Sequence, residues 1–303
     1  MARGLLPLIG NLDLRLAVFA LAACGASVTP KESSAWSAYD ANQWRLCAER
    51  WTAIADAGGK GRRHQALYYA ACCHARDGKP GPAFAALDAT TVDVKLLETE
   101  EDLAGLRSDP RWPRMVMAMK ERFAAWEATL KEPQLRRELL ALVEEDQAAR
   151  EAWMAISENE HPAEWAELNA RVGAADRKST EALKRVIARV GWPGESLVGR
   201  DGAHAAWLLA QHADEDLPFQ KDVLARMMPL VESGEVEARN YAYLYDRVAV
   251  AEHRKQLYGT QWNGNEPFPI EDEVNVDARR YAIGLSSLAE YRKGILEING
   301  ATK

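Results

Sequence analysis

The 303-residue chain is poor in the residues that announce a chemistry. It has four cysteines and six histidines, and no CxxC, no HExxH and no GK followed by Ser or Thr, which excludes the familiar zinc and phosphate-binding motifs. His204 and His212 stand eight residues apart, on the order of 12 Å of helical rise, too far to share one ion on one helix. No metal and no cofactor is therefore expected. Ser196 and Thr260 lack the sequence context of an activated nucleophile. Basic residues are interspersed with acids at a formal charge of −7, so a broad electrostatic grip on nucleic acid is also excluded. No stretch alternates apolar and polar residues with period two over a useful length, and the chain is expected to be all-α.

What is present is an ordinary globular composition, 48% apolar and 27% charged, long enough for two domains. The start carries Arg3 and Arg15, then LAVFALAA, then Cys24 in LAAC followed by Gly25. This resembles a bacterial lipoprotein signal, with an apolar core too short to span a bilayer as a helix. The resemblance implies removal of residues 1–23, lipidation of Cys24 and an extracytoplasmic, cell-envelope location, with membrane contact through the lipid alone. Residues 24–40 are mostly small and polar and read as a tether. Cys47, Cys72 and Cys73 remain, read as small buried thiols, with a bridge from Cys47 to either neighbour as the alternative.

From Ala41 the period becomes helical, with Trp44, Cys47, Ala48 and Trp51 on one face and Gly58 and Gly59 ending the helix. Leu67, Ala70, Ala71 and His74, the Gly78 turn, and Ala83 with Leu87 resemble a tetratricopeptide repeat, in which small residues let two helices approach closely. The resemblance implies a short helical hairpin module over residues 41–128, packed on a second multi-helix domain over 129–303 and able to hold a protein partner.

In the second domain Leu135, Leu139, Leu142 and Val143 form a stripe, and Asp146 and Arg150 at i, i+4 read as an ordinary surface ion pair. Asp201 is expected to N-cap the helix that carries His204, Leu208, Gln211 and His212 on one face. Asp216 and Pro218 open the next helix, where Gln220 heads an apolar stripe. Asp246 falls on the inward face of a third, QLYGTQ follows as a loop, and Asp277 is expected to N-cap a last helix running through Arg292. Buried polar groups need partners, so His212, Gln220, Asp246 and the Gln256 to Gln261 loop are expected to converge on one pocket.

The succession GWP, WLLAQHAD, Gln220, YLYDRV, QLYGTQ and PIEDEVNVDARRYAIGL resembles a bacterial domain-of-unknown-function family, number 6624, over residues 135–294. The resemblance carries over Asp146, Gln147, Arg150, Trp192, His212, Asp214, Gln220, Asp246, Arg247, Gln256, Tyr258, Gly259, Thr260 and Gln261. The Asp176 segment departs from the family pattern, with Ser179 where an Asn is expected. No reaction comes with the family.

Two functions follow as expectations. The first is a lipid-anchored binding protein, its repeat module for a protein partner and its polar pocket, built from Trp192, Asp214, Gln220, Arg247, Gln256, Tyr258, Thr260 and Gln261, for a small ligand or peptide. The alternative is a hydrolase-like enzyme in which His212, oriented by Asp246, activates water.

Overall fold

The computed structural model describes residues 30–57 and 60–301. Cys24 and the signal-like segment lie outside the described residues. The chain divides into two compact units, parting between Leu130 and Lys131.

In the first unit α1 (Pro30–Asp40), α2 (Trp44–Ala57) and α3 (Lys60–Arg76) pack together. The α2 face Cys47, Ala48, Trp51, Ile54 and Ala55 is buried against Ala66 and Ala70 of α3, small residues that allow close approach. Two expectations are corrected here. The tether is helical from Pro30, because Ala35 and Ala38 are fully covered and Trp36 sets its ring edge on Trp51 and Tyr69. Cys47 and Cys73 are joined in a disulfide with Cα atoms 5.9 Å apart, so only Cys72 is a free thiol among the described residues. The bridge ties the first turns of α2 to the last turn of α3. A second apolar cluster joins the end of α3 to α4 (Pro80–Asp88), α5 (Val94–Thr99) and α6 (Trp112–Glu127). Asp93 caps α5 by accepting from the Lys95 amide.

The second unit begins with α7 (Pro133–Met154) and α8 (Pro162–Val190), both opened by proline, whose missing N–H costs nothing in the first turn. Gly191, at φ 75°, ends α8. Next come α9 (Glu195–Gln211), α10 (Leu217–Val231) and α11 (Ala238–Ala251). The stretch Ala205 to Gln211 of α9 is buried all round, and it forms the centre of the core with Leu135, Leu139, Leu183 and Ile187 around it. Asp201 does not start this helix. The helix opens at Glu195 and bends at Gly199 (φ 74°, ψ 168°), and the Asp201 carboxylate instead receives the buried Arg136 guanidinium. Asp216 does cap α10, accepting from the Phe219 amide at 3.1 Å.

The expected last helix is two, α12 (Val276–Ala282) and α13 (Leu288–Ala301), with Gly284 at φ 77° between them. Asp277 lies in α12 and accepts from the Leu288 amide at 2.7 Å, holding the start of α13 from across the break. A hairpin of two-residue strands, β1 (Trp262–Asn263) and β2 (Glu266–Pro267), and one bridge between Gln256 and Ile270 are the sheet structure among the described residues. The fold is all-α. Among the described residues no helix is long and apolar enough to cross a membrane.

Candidate functional site

Three helices bring a charged cluster together inside the second unit. The apolar stripe of α7 continues from Leu139 into Asp146 and Arg150, and that of α8 runs through Val172, Asp176, Thr180 and Leu183. His212 follows directly as the C-cap of α9. His212 Nδ1 lies 2.8 Å from Asp146 Oδ2, and both side chains are buried. Gln147 Nε2 donates to the same oxygen at 2.8 Å. Arg150 reaches Asp146 through Nε at 3.4 Å and also binds Asp176. The Asp146–Arg150 pair is therefore buried, which corrects its reading as a surface pair.

This geometry fixes the imidazole tautomer. Burial by itself would raise Asp146, but His212 and Arg150 hold it well below the usual carboxylate range, so it is an acceptor. The proton in the 2.8 Å contact then belongs to Nδ1 of His212. Arg150 Nε, 3.2 Å from the same ring nitrogen, finds its acceptor in Asp146 instead. Burial lowers the His212 pKa against the pull of Asp146, with Arg150 and Arg247 adding to the effect, so the ring is neutral at pH 7. Burial pushes Asp176 up to about 7; Arg150 opposes that shift and the charge of Asp146 reinforces it. Two carboxylates in one site thus have opposite tendencies, one to stay ionised and one to carry a proton.

His212 Nε2 has no hydrogen-bond partner among the described residues. His212 lines a cavity of about 260 Å³ between α8 and the turn that leads into α10, with Asp176, Arg177, Thr180, Glu181, Glu215 and Asp216 around it. Asp146, Asp176 and His212 also place one ligand atom each within 4.8 Å of one another, as a metal centre would. The guanidinium of Arg150 binds both carboxylates, so the charge a metal would supply is already provided by a side chain.

Asp246 was expected to orient His212, and this is corrected. Its fully buried carboxylate accepts from the amides of Leu257 (2.8 Å), Tyr258 (3.1 Å) and Thr260 (3.0 Å) and from the Thr260 hydroxyl (3.0 Å). It folds the QLYGTQ loop and makes no hydrogen bond with His212. Gln256 completes this lock, its amide donating to the carbonyls of Gln261 and Phe268 and accepting from the Gln261 amide at 2.9 Å. Gln261 donates to the Thr260 hydroxyl, and Arg280 donates to the Tyr258 carbonyl. Gly259 has φ 68°, and a Cβ there would meet Leu288 at 2.8 Å, so only glycine fits the turn. Gln256, Thr260 and Gln261, expected to bind a ligand, thus spend side-chain polar groups on the loop itself, and Tyr258 joins it through its backbone.

Gln220 closes the end of α9, donating to the carbonyls of Ala210 (3.2 Å) and Gln211 (3.3 Å). Asp214, two residues beyond His212, pairs with Arg247 of α11 through both carboxylate oxygens. This clamp anchors the chain immediately after the histidine. Trp192 lies apart from it, beside a water-sized space of about 10 Å³ near His204 and Asn240. The structure brings His212 together with Asp146, Arg150 and Asp176, of which the sequence gave a catalytic role to His212 alone, although the family resemblance had carried over Asp146 and Arg150. The signal was the phasing itself, because Asp146 and Asp176 both sit on core-facing stripes.

The family described as "Family of unknown function (DUF6624)" matches residues 133–302, more than half of the chain. No curated protein and no solved structure matches it. All four residues of the buried charged cluster fall inside the matched region, and the chain belongs to the DUF6624 family.

Proposed function

We propose that the second unit is a hydrolase-like general acid–base site. His212 Nε2 takes a proton from water as the water oxygen adds to an electrophilic carbon of a small polar substrate. Asp176 gives its proton to the leaving group, so one proton is taken up and one released per turnover. Asp146 holds the Nδ1–H tautomer that leaves Nε2 with its lone pair. One observation carries this reading: a buried histidine that lines a cavity, with Nδ1 held by a carboxylate at 2.8 Å and Nε2 without a hydrogen-bond partner among the described residues. A pocket built for binding alone does not require an unpartnered lone pair on its lining, which is why the binding reading now ranks second for this unit. The test is hydrolysis of chromogenic amides and esters by the wild type and by His212→Gln at equal melting temperature. Loss of about 100-fold or more supports the base; equal turnover, or a proton resting on Nε2 in nitrogen-15 spectra, overturns it.

We further propose that residues 30–130 serve as a tetratricopeptide-like module for a protein partner and that lipid on Cys24 anchors the chain outside the cytoplasm. The Ala48, Ala66 and Ala70 crossing supports the first, and the Cys47–Cys73 disulfide, which suits an oxidising compartment, supports the second. Mass spectrometry of the mature N-terminus decides the anchor. An unmodified chain beginning at Met1 would exclude it.

A further inference from the structure

The cavity beside His212 has an uneven charge. Glu181, Glu215 and Asp216 give it three carboxylates against the single guanidinium of Arg177, with Asp176 beside them tending to carry a proton. Arg177 is itself held by Glu215 at 3.1 Å, at the exposed rim. Lys184, two turns beyond Arg177 along α8, bridges Glu181 and Asp216 at 2.7 Å each. With Lys184 counted, carboxylates still outnumber cations, and below them the charge of Arg150 is already shared by Asp146 and Asp176. Acidic residues at a surface do not make a site. Here the floor supplies the second observation, because His212, 7% exposed, lines the cavity and its Nε2 has no hydrogen-bond partner among the described residues. That nitrogen, in the tautomer set by Asp146, is an acceptor. Floor and rim therefore both present lone pairs, and a complementary ligand must bring N–H donors and positive charge. A phosphate or carboxylate would meet acceptors and a negative field instead.

We propose that the substrate of this site is a small organic cation, its ammonium or guanidinium group held by the rim carboxylates Glu181, Glu215 and Asp216 while its reacting bond lies at His212 Nε2. This deepens the general-base reading and rests on it for the reacting end. A cavity of about 260 Å³ suits a group the size of one long side chain.

The experiment uses the full chain with n-butylammonium and butyrate as matched probes, followed by calorimetry and by the imidazole nitrogen signals of His212. Butylammonium is expected to bind about tenfold or more tighter than butyrate, and to weaken as salt rises. Glu215→Gln should weaken butylammonium severalfold, whereas Arg177→Gln should tighten it. Both side chains are more than half exposed, so neither change threatens the fold, and melting curves verify this. Butyrate binding as well as or better than butylammonium overturns the proposal, as do unchanged affinities in both variants. So does a zinc ion that binds at His212 while butylammonium leaves the ring signals unmoved. The two readings fail separately. A ring with its proton on Nε2 removes the base whatever binds, and a ring with its proton on Nδ1 that ignores butylammonium removes only the cation.

Discussion

His212 Nδ1 and Asp146 Oδ2 meet at 2.8 Å across 66 positions of sequence, in a part of the fold that buries both side chains. A neutral imidazole beside an ionised carboxylate has one tautomer, and the carboxylate chooses it. Replacing Asp146 by Asn puts an amide N–H within reach of Nδ1, which then becomes the acceptor and sends the ring proton to Nε2. Nitrogen-15 chemical shifts should therefore exchange the protonated and unprotonated ring positions in Asp146→Asn. The variant should also lose about 2–3 kcal/mol of stability, the usual cost of losing a hydrogen bond to a buried charge. An unchanged tautomer would mean that Asp146 does not orient the ring.

Asp176 predicts the pH dependence of stability. Its folded value is about 7, against an ordinary 3.8, because burial favours the neutral acid. A raised carboxyl contributes stability that is complete below pH 3.8 and is lost as pH rises through about 7. The groups facing it are Asp146, Arg150 and, through Asp146, His212. His212 has the opposite sign, since its lowered value gives stability that is lost as pH falls through it. Asp176→Asn should thus remove its own decline in unfolding free energy between about pH 4 and pH 7 and leave the opposite-signed loss that His212 contributes as pH falls below its ordinary 6.5. Denaturant titrations at several pH values would show this, and parallel curves for the two proteins would contradict it.

Asp246 has a different burden. Four hydrogen bonds converge on a carboxylate with no solvent exposure, and the amide of Asn would turn two donors toward backbone N–H groups. Asp246→Asn should cost about 3 kcal/mol or more. It should also speed hydrogen exchange at Leu257, Tyr258 and Thr260 while leaving the His212 ring tautomer unchanged. Asp272→Asn, at an exposed left-handed position where Asn is at ease, should change stability by less than about 0.5 kcal/mol. A shifted His212 tautomer in Asp246→Asn would restore the link between the two residues.

Helical periodicity made the fold class legible, along with the Asp216 cap and the glycine stop at Gly191. It also showed that Asp246 and Gln220 must point inward, because a polar residue on an apolar stripe is visible without coordinates. What periodicity could not supply was the partner. Asp246 and Asp146 are both carboxylates on core-facing stripes, and which one meets His212 depends on how α7, α8 and α9 cross, a long-range property. The same rule applied to Leu135, Leu139, Leu142 and Asp146 would have exposed the buried pair with Arg150, which adjacent charges at i, i+4 made look superficial. The helix at Pro30–Asp40 was hidden for another reason. Its sequence has almost no apolar periodicity, and it is held by Ala35, Ala38 and Trp36 against neighbours rather than by a stripe of its own.

The thiols give the last prediction. Cys47 and Cys73 close a loop of 26 residues, and Cys72, adjacent in sequence, faces the other apolar cluster of the same unit. Adjacent positions on a helix point about 100° apart, so one of the pair can reach α2 while the other cannot. Burial also pushes the Cys72 thiol well above its ordinary value, which suppresses the reactive thiolate. Alkylation of the folded, unreduced protein should therefore leave Cys47, Cys72 and Cys73 unlabelled. Of these three, unfolding without reductant should expose Cys72 alone, and adding reductant should expose Cys47 and Cys73 as well. Paired replacement of Cys47 and Cys73 by serine should destabilise the first unit by about 3.5 kcal/mol, the chain-entropy value for a loop of this length. Labelling of Cys73 rather than Cys72 after unfolding would assign the bridge to the wrong neighbour and move the tie from the α2 face to the second cluster.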